Sequence, residues 1–292
     1  MRYRVERDEY GEVKVPLQAY FGVGSQRSKD LFQITKHGIN RQMIRSLAWI
    51  KKSAAKANCD CGNLDEKREN AISLACDEII NGRLHGQFVT DLVQGGSGIA
   101  MNINANEVIA NRANELLGGE KGQYDIVHPV HHVNLNQDDI TVVLMASKFS
   151  TNRLVKKLLT EAKKLLNAIE DKVREYNLDN SEYSFGQEIL MLADTLEKDI
   201  KRVNNRVSSL LEVNLTIPNL ISENDVFVKK YIKYLSQFVG ENIKHTTNPL
   251  SFNRSLDDIG QISYTLKALM SNVAKGANDL LMFAKQGKVK LE

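Results

Sequence analysis

The stretch that decides the fold is Gln94–Arg112, QGGSGIAMNINANEVIANR. Its three glycines predict a turn, because glycine adopts left-handed backbone conformations that other residues avoid. A helix is predicted from Asn104 to Leu117, where apolar residues recur at helical spacing, and Gly118-Gly119 supplies the residue type that a helix C-terminus prefers. The stretch therefore predicts a glycine-rich turn that leads into a helix carrying a ladder of asparagines: Asn102, Asn104, Asn106 and Asn111.

The composition indicates a globular, mainly helical protein. The 292 residues are 42% hydrophobic and 26% charged, with only four prolines to interrupt helices. The net charge of +3 comes from 39 basic and 36 acidic residues, so we expect no nucleic-acid partner. No apolar run reaches the ~18 residues that a membrane span requires, and the start has no signal-like apolar region. We therefore expect a cytoplasmic protein with no membrane partner.

The three cysteines are too few soft ligands for a closed zinc site without histidines. Cys59 and Cys61 form a C-x-C pair, and Cys76 is the third. Free buried or loop thiols are the expected state, and no cofactor is predicted.

The chain is predicted to form an N-terminal arm and helical domain (1–140) followed by a truncated central helical-bundle domain (141–292). Residues 1 to about 38 are expected to form irregular or short-strand structure, as an arm outside the core, because Pro16 and the Gly22–Ser25 turn break any helical period. In the second region, apolar residues recur every three or four positions over many turns, as in a bundle or coiled coil. The predicted helices cover Arg41–Asn58, Asp65–Asn81, Leu154–Val173, Phe185–Leu210, residues 223–239 and Leu256–Leu280.

Such long apolar stripes are most often ordinary core. However, helices of this length need apolar neighbours along their whole length, and one short chain supplies few of them. We therefore expect a homo-oligomer, a tetramer first and a dimer second, or a hetero-oligomer with a related chain.

Matched motifs along nearly the whole chain resemble one known family. Gln94–Arg112 is similar to the substrate-binding signature of the aspartase/fumarase lyases, and Val127–Asn134 resembles their His-Pro-Asn-Asp-His-Val-Asn segment. The runs Ala75–Glu78 and Lys121–Tyr124 are closest to the aspartate ammonia-lyase branch. Further matches are Val15–Val23, Lys51–Asn58, Phe185–Glu188, Leu211–Leu215 and Lys275–Leu280. The resemblance implies a mainly α, aspartase/fumarase-like fold, a small dicarboxylate as ligand, and conversion of L-aspartate to fumarate plus ammonia in sites built from several subunits.

The chain departs from the family where the family's chemistry is carried. Ile99 stands where the family has Thr, and Asp138-Asp139-Ile140-Thr141 replaces the Ser-Ser-Asn-Asp or Ser-Thr-Asn-Asp segment that contacts carboxylate. A Gly-Arg-Thr-His segment is missing near Asn177–Tyr183, as is a Gly-Gly-Thr-Ala loop after Leu215. The loop that carries the base Ser and the substrate-binding Lys and Asn does not occur before Glu292. Two acids in this place are expected to repel a dicarboxylate.

The resemblance implies five substrate-binding candidates and no catalytic residue: Ser97, Gly98, Asn102, His128 and His131. Ser97 and Gly98 belong to a turn whose amides could hold a carboxylate, and His128 matches a histidine at a secondary anion site of fumarases. A purely structural role is the alternative for the turn and for the asparagines, which are expected to tie neighbouring helices together. A zinc or manganese site is a weaker alternative, because its residues match no standard ligand spacing: Asp125, His128, His131, His132, Asp138 and Asp139.

Three functional hypotheses remain open. The first is a pseudoenzyme, catalytically silent alone, that acts as a binding or structural subunit. The second is an active ammonia-lyase or fumarate hydratase completed by a partner chain that supplies the missing base loop. The third is a decayed gene product, for which poor folding is expected.

Overall fold

The computed structural model describes residues 2–175, 185–215, 225–249, 252 and 256–290. It confirms the prediction of a mainly α fold. The strands in these ranges are β1 (Tyr3–Asp8), β2 (Gly11–Pro16), β3 (Glu212–Val213) and β4 (Lys244–His245). The long helices are α1 (Val23–Leu31), α2 (Arg41–Asp60), α3 (Glu66–Ile80), α4 (Ile99–Leu116), α5 (Asp139–Glu175), α6 (Phe185–Val207), α7 (Val226–Val239) and α8 (Asp257–Lys285).

The chain forms two compact units. The first contains Met1–Ser150 and Leu211–Asn253, and the second contains Thr151–Leu210 and Arg254–Glu292. The described residues 211–215 and 225–249 therefore belong to the same unit as the N-terminal part of the chain, and α5 contributes residues to both units. The domain boundary near residue 140 stays a prediction.

The core of the first unit lies between α2, α3, α4 and α7. Leu47 and Ile50 of α2 are fully buried, as are Ile72 of α3, Ile109 of α4 and Leu235 of α7. Antiparallel pairing of β1 with β2 forms a hairpin beside this core, and β3 pairs with β4 in parallel. Helix α2 packs against both α3 and α7, so it is the central element of the unit.

Strands β1 and β2 confirm the prediction of short strands in the N-terminal segment, but the prediction that this segment lies outside the core is wrong. Val15, Ala19 and Phe21 are buried in the core, and the Gly22–Ser25 segment begins α1 instead of breaking it. The cause is a distant carboxylate: Glu107 on α4 accepts hydrogen bonds from the backbone N–H groups of Gly22, Gly24 and Ser25 at 2.7, 2.8 and 3.1 Å. Since the first N–H groups of a helix have no partner within it, a buried carboxylate there replaces the missing cap.

The second unit is a bundle built on a seven-residue repeat. The buried residues of α8 are Ile262, Leu269, Gly276 and Phe283, each seven positions from the last. Ile262 and Leu269 pack in one cluster with Leu196, Ile200 and Val203 of α6, and Gly276 lies against Leu192 of the same helix. Spacing of this kind is typical of a coiled-coil seam and confirms the long apolar patterns read from the sequence.

No helix within the described ranges combines the length and the apolar character needed to cross a membrane.

Candidate ligand-binding site

The glycine-rich turn lies at the beginning of α4, in a conformation fixed by packing. Gly96, Ser97 and Gly98 have φ values of 63°, 55° and 83°, so three successive residues are left-handed. A Cβ atom on Gly98 would lie 3.0 Å from Met101 Cε and 3.1 Å from Val143 Cγ1. Ser97 is exposed, and the half-buried Ile99 begins the helix. The turn thus brings α4 close to α5 and presents Ser97 to solvent.

Asn104 and Asn111 of α4 bind irregular segments to the helix, whereas Asn102 makes the expected kind of hydrogen bond between helices, to Asp139 of α5. Asn104 accepts from the Val89 N–H at 2.8 Å and donates to the Gln87 carbonyl at 3.0 Å. Asn111 donates to the Tyr20 carbonyl at 2.8 Å and accepts from the Gly122 N–H at 2.7 Å. Buried amides that saturate loop backbone groups hold those loops in one conformation.

Asn102 belongs to a different group, the polar cluster formed by Lys51, Asn102, Asn134 and Asp139. Asn102 Nδ2 donates to Asp139 Oδ1 at 2.7 Å and to Asn134 Oδ1 at 3.1 Å. Asn134 Nδ2 donates to the same Asp139 oxygen at 2.9 Å. Lys51 Nζ donates to Asn134 Oδ1 at 2.6 Å. Two amides therefore converge on one carboxylate oxygen, with an amine attached to the network.

Lys51 and Asn134 are the residues of this cluster that the sequence interpretation did not name as site residues, and Lys51 is the charged one of the two. Its side chain is fully buried, and burial lowers its pKa from 10.5 to about 7, although the charge of Asp139 acts in the opposite direction. A signal was present in the sequence, because Lys51 lies four residues after Leu47 and three before Ala54, on the apolar face of α2. A lysine in such a position needs a polar partner inside the protein.

The two adjacent acids have separate roles. Asp138 is exposed, and its Oδ2 accepts from the Thr141 N–H at 2.8 Å and from the Thr141 hydroxyl at 2.7 Å. This is the geometry of a side chain that caps a helix N-terminus, here that of α5. Asp139 is half-buried and turns into the polar cluster. The pair is therefore one helix cap and one internal carboxylate.

His128 and His131 lie together in a π-helical turn at Pro129–Val133, with ring centroids 4.4 Å apart. His128 Nδ1 accepts from the backbone N–H groups of Val130 and His131 at 3.1 and 3.2 Å, and His132 Nδ1 accepts from the His128 N–H at 2.8 Å. Burial, and then the charge of His131, lowers the pKa of His128. A neutral imidazole whose Nδ1 accepts a hydrogen bond carries its proton on Nε2. The rings of His128 and His132 therefore each present an Nε2–H group.

This tautomer argues against the metal alternative, because an Nε2 atom that carries a proton has no lone pair for a cation. Over the described ranges, no group of three or more His, Cys, Asp or Glu side chains is arranged to hold a metal ion. Cys59, Cys61 and Cys76 are free thiols.

The structure separates the five candidate residues into two places. Ser97, Gly98 and Asn102 lie along the turn and first helical residues of α4, whereas His128 and His131 lie in the π-helical turn. Asn102 uses its amide N–H groups on Asn134 and Asp139. The two places where the chain lacks a family segment, near Asn177–Tyr183 and after Leu215, fall outside the described residues.

Comparison with known proteins gives a consistent result. A protein-family model described as "Lyase" matches residues 11–178. The chain belongs to this family of lyases, the aspartase/fumarase superfamily. Aspartate ammonia-lyase of Bacillus subtilis (strain 168) is 35% identical over 295 residues, which cover 97% of this chain and 62% of the relative. Fumarate hydratase class II of Campylobacter jejuni is 32% identical over 298 residues, with 97% and 64% covered.

A solved structure, fumarate lyase:delta crystallin from Brucella melitensis bound to cobalt, superposes with a TM-score of 0.90 at 34% identity. The match covers 97% of this chain and 65% of that one. This family member therefore spans less than two thirds of the length of each of these relatives.

Proposed function

We propose that this chain is an aspartase/fumarase-family protein that resembles aspartate ammonia-lyase, is catalytically silent by itself, and serves as a binding or structural subunit. The observation that carries the proposal is the position of Asp139. Its carboxylate takes the N–H groups of Asn102 and Asn134, which leaves neither amide N–H pair free for a ligand. Ile99 adds an apolar side chain where the family has a hydroxyl. Silence follows because a lyase of this kind must bind a carboxylate before it can remove the adjacent proton.

Self-association is part of the proposal. Large apolar side chains remain exposed on the helices of the second unit, including Met191 of α6 and Tyr264, Met270 and Leu281 of α8, each at least half exposed. Apolar residues along helices of this length favour burial against further helices. We propose a tetramer, with a dimer or a hetero-oligomer with a related lyase chain as the alternatives. Sedimentation analysis at micromolar concentration tests this, and a monodisperse monomer would exclude it.

A cytoplasmic location completes the proposal, and three unpaired cysteines support it because cytosolic thiols stay reduced. No cofactor is required by any group in the polar cluster.

An active enzyme is the second candidate. It is favoured by the names of the relatives, which are aspartate ammonia-lyases and class II fumarate hydratases. In this case a partner chain would supply the base loop, and the reaction would be removal of ammonia from L-aspartate or of water from L-malate.

Ultraviolet absorbance of fumarate separates the two candidates. Purified chain is mixed with L-aspartate and, in parallel, with L-malate. We expect no protein-dependent rise in absorbance. A signal that scales with protein concentration would overturn the proposal, whereas a signal that appears only after a related lyase chain is added would favour completion by a partner.

A further inference from the structure

The carboxylate of Asp139 is held as a protein would hold a bound ligand. Its Oδ1 atom receives one N–H group from Asn102 at 2.7 Å and one from Asn134 at 2.9 Å. These donors come from separate elements, since Asn102 lies on α4 and Asn134 follows the π-helical turn. Convergent N–H groups from different parts of a fold are the usual way to bind a carboxylate oxygen, and bonds to a charged acceptor are the strong ones.

The same cluster contains a buried amine. Lys51 is fully buried, and its amine bonds to Asn134 Oδ1 at 2.6 Å. The negative charge of Asp139 acts on this amine across the cluster. Asn134 thus accepts from the amine through its oxygen and donates to the carboxylate through its nitrogen. The carboxylate of Asp139 is thus bonded by two amides, one of which is also bonded by the amine.

The three groups are held in place independently of Asp139. Asn102 and Lys51 are inaccessible to solvent, on helices whose neighbouring residues form the core of the first unit. Asn134 Nδ2 has a second acceptor in the Gln137 carbonyl at 3.4 Å. Asp139 is half-buried and enters the cluster from the first turn of α5. Removing its side chain would leave donors that are already positioned and a space open toward solvent.

We propose that Lys51, Asn102 and Asn134 form a latent binding site for a small carboxylate, which the chain occupies with its own Asp139. The ligand class is a monocarboxylate of the size of formate or acetate. The inference rests on the same cluster as the proposed function, but its test measures binding alone, so its failure can be distinguished from a finding of lyase activity.

Chemical rescue tests this inference directly. Asp139→Ala and Asp139→Gly are melted in sodium formate and in sodium chloride of the same ionic strength. We expect both variants to melt below the wild-type chain in chloride, because the donors lose their acceptor. Formate at ten times its Kd is expected to raise their melting temperatures by about 3–6 °C. The wild-type chain is expected to show no difference between the two salts.

Asp138→Ala is the matched control, since it removes the neighbouring acid and the cap of α5 but leaves the cluster intact. It is expected to lose stability without rescue by formate. Adding Lys51→Met to Asp139→Gly is expected to abolish the rescue. Equal formate effects in the wild-type chain or in Asp138→Ala would overturn the inference, as would no effect in both Asp139 variants. If a variant does not fold in chloride, the readout becomes the recovery of helical circular dichroism in formate, and failure to recover counts against the site.

Discussion

Lys51→Met is the substitution that most directly probes the electrostatics of the polar cluster. Burial lowers the pKa of Lys51 from 10.5 to about 7 in the folded chain, while an unfolded chain exposes the amine to water. Between these values the unfolded state binds more protons than the folded state, so the contribution of Lys51 to stability rises with pH. Below about pH 7 the amine is protonated in both states, and its contribution no longer changes.

The size of the effect follows from the depressed pKa. One pKa unit corresponds to about 1.4 kcal/mol, so the wild-type chain gains about 2 kcal/mol from Lys51 between about pH 7 and pH 9. Met has a similar length and no titratable group. Lys51→Met is therefore expected to lack this gain. The difference in free energy of unfolding between the wild-type chain and Lys51→Met should change by about 2 kcal/mol between about pH 7 and pH 9.

Urea unfolding followed by circular dichroism at several pH values measures the difference. Lys52→Met is the matched control, because Lys52 is the next residue of α2 and pairs with Asp77 at 2.7 Å outside the cluster. It is expected to keep the wild-type pH dependence. Parallel pH profiles for the wild-type chain and Lys51→Met would refute the reasoning, since Lys51 would then titrate alike in the folded and unfolded states.

Two further substitutions test how the fold is held together. Glu107→Gln is expected to lower the free energy of unfolding by about 1–3 kcal/mol, because one amide oxygen replaces the carboxylate that accepts from Gly22, Gly24 and Ser25. Urea unfolding measures this loss, and faster amide exchange confined to α1 would show where it occurs. Unchanged stability would contradict the capping role. Gly276→Ala is expected to cost about 1–3 kcal/mol, because a Cβ there overlaps Leu192 of α6. Gly260→Ala on the same helix is its control, since a Cβ there meets nothing within 4 Å, and equal thermal shifts for both variants would exclude close packing of α6 and α8.

The helical patterns could be predicted from the sequence because they depend on periodicity within each segment. The repeat of α8 and the apolar face of α2 are visible in one dimension. Helix α1 could not be predicted in this way. Its N-terminus is Gly-Val-Gly-Ser, which carries no local helix signal, and the carboxylate that caps it lies more than 80 residues away on α4. Helix α4 starts at Ile99, five residues before the predicted Asn104, directly after the last of three left-handed residues, Gly98.

The site was harder to predict for a related reason. The sequence shows Asp138 and Asp139 as two adjacent acids, and the expectation was that both would repel a dicarboxylate. Adjacent residues in the first turn of a helix point in different directions, so one became the cap of α5 and the other entered the polar cluster. Lys51 gave a signal only as an exception on an apolar face, and its partner Asn134 is 83 residues away.

The central claim is that this chain alone does not remove the proton next to a carboxylate. Nuclear magnetic resonance of L-aspartate in heavy water measures that step directly, because proton abstraction and return would replace a Cβ proton by deuterium even if no product were released. We expect the Cβ signals to keep the same intensity with an excess of chain as they have in buffer alone. A loss of signal that is stereospecific and proportional to the amount of chain would contradict it.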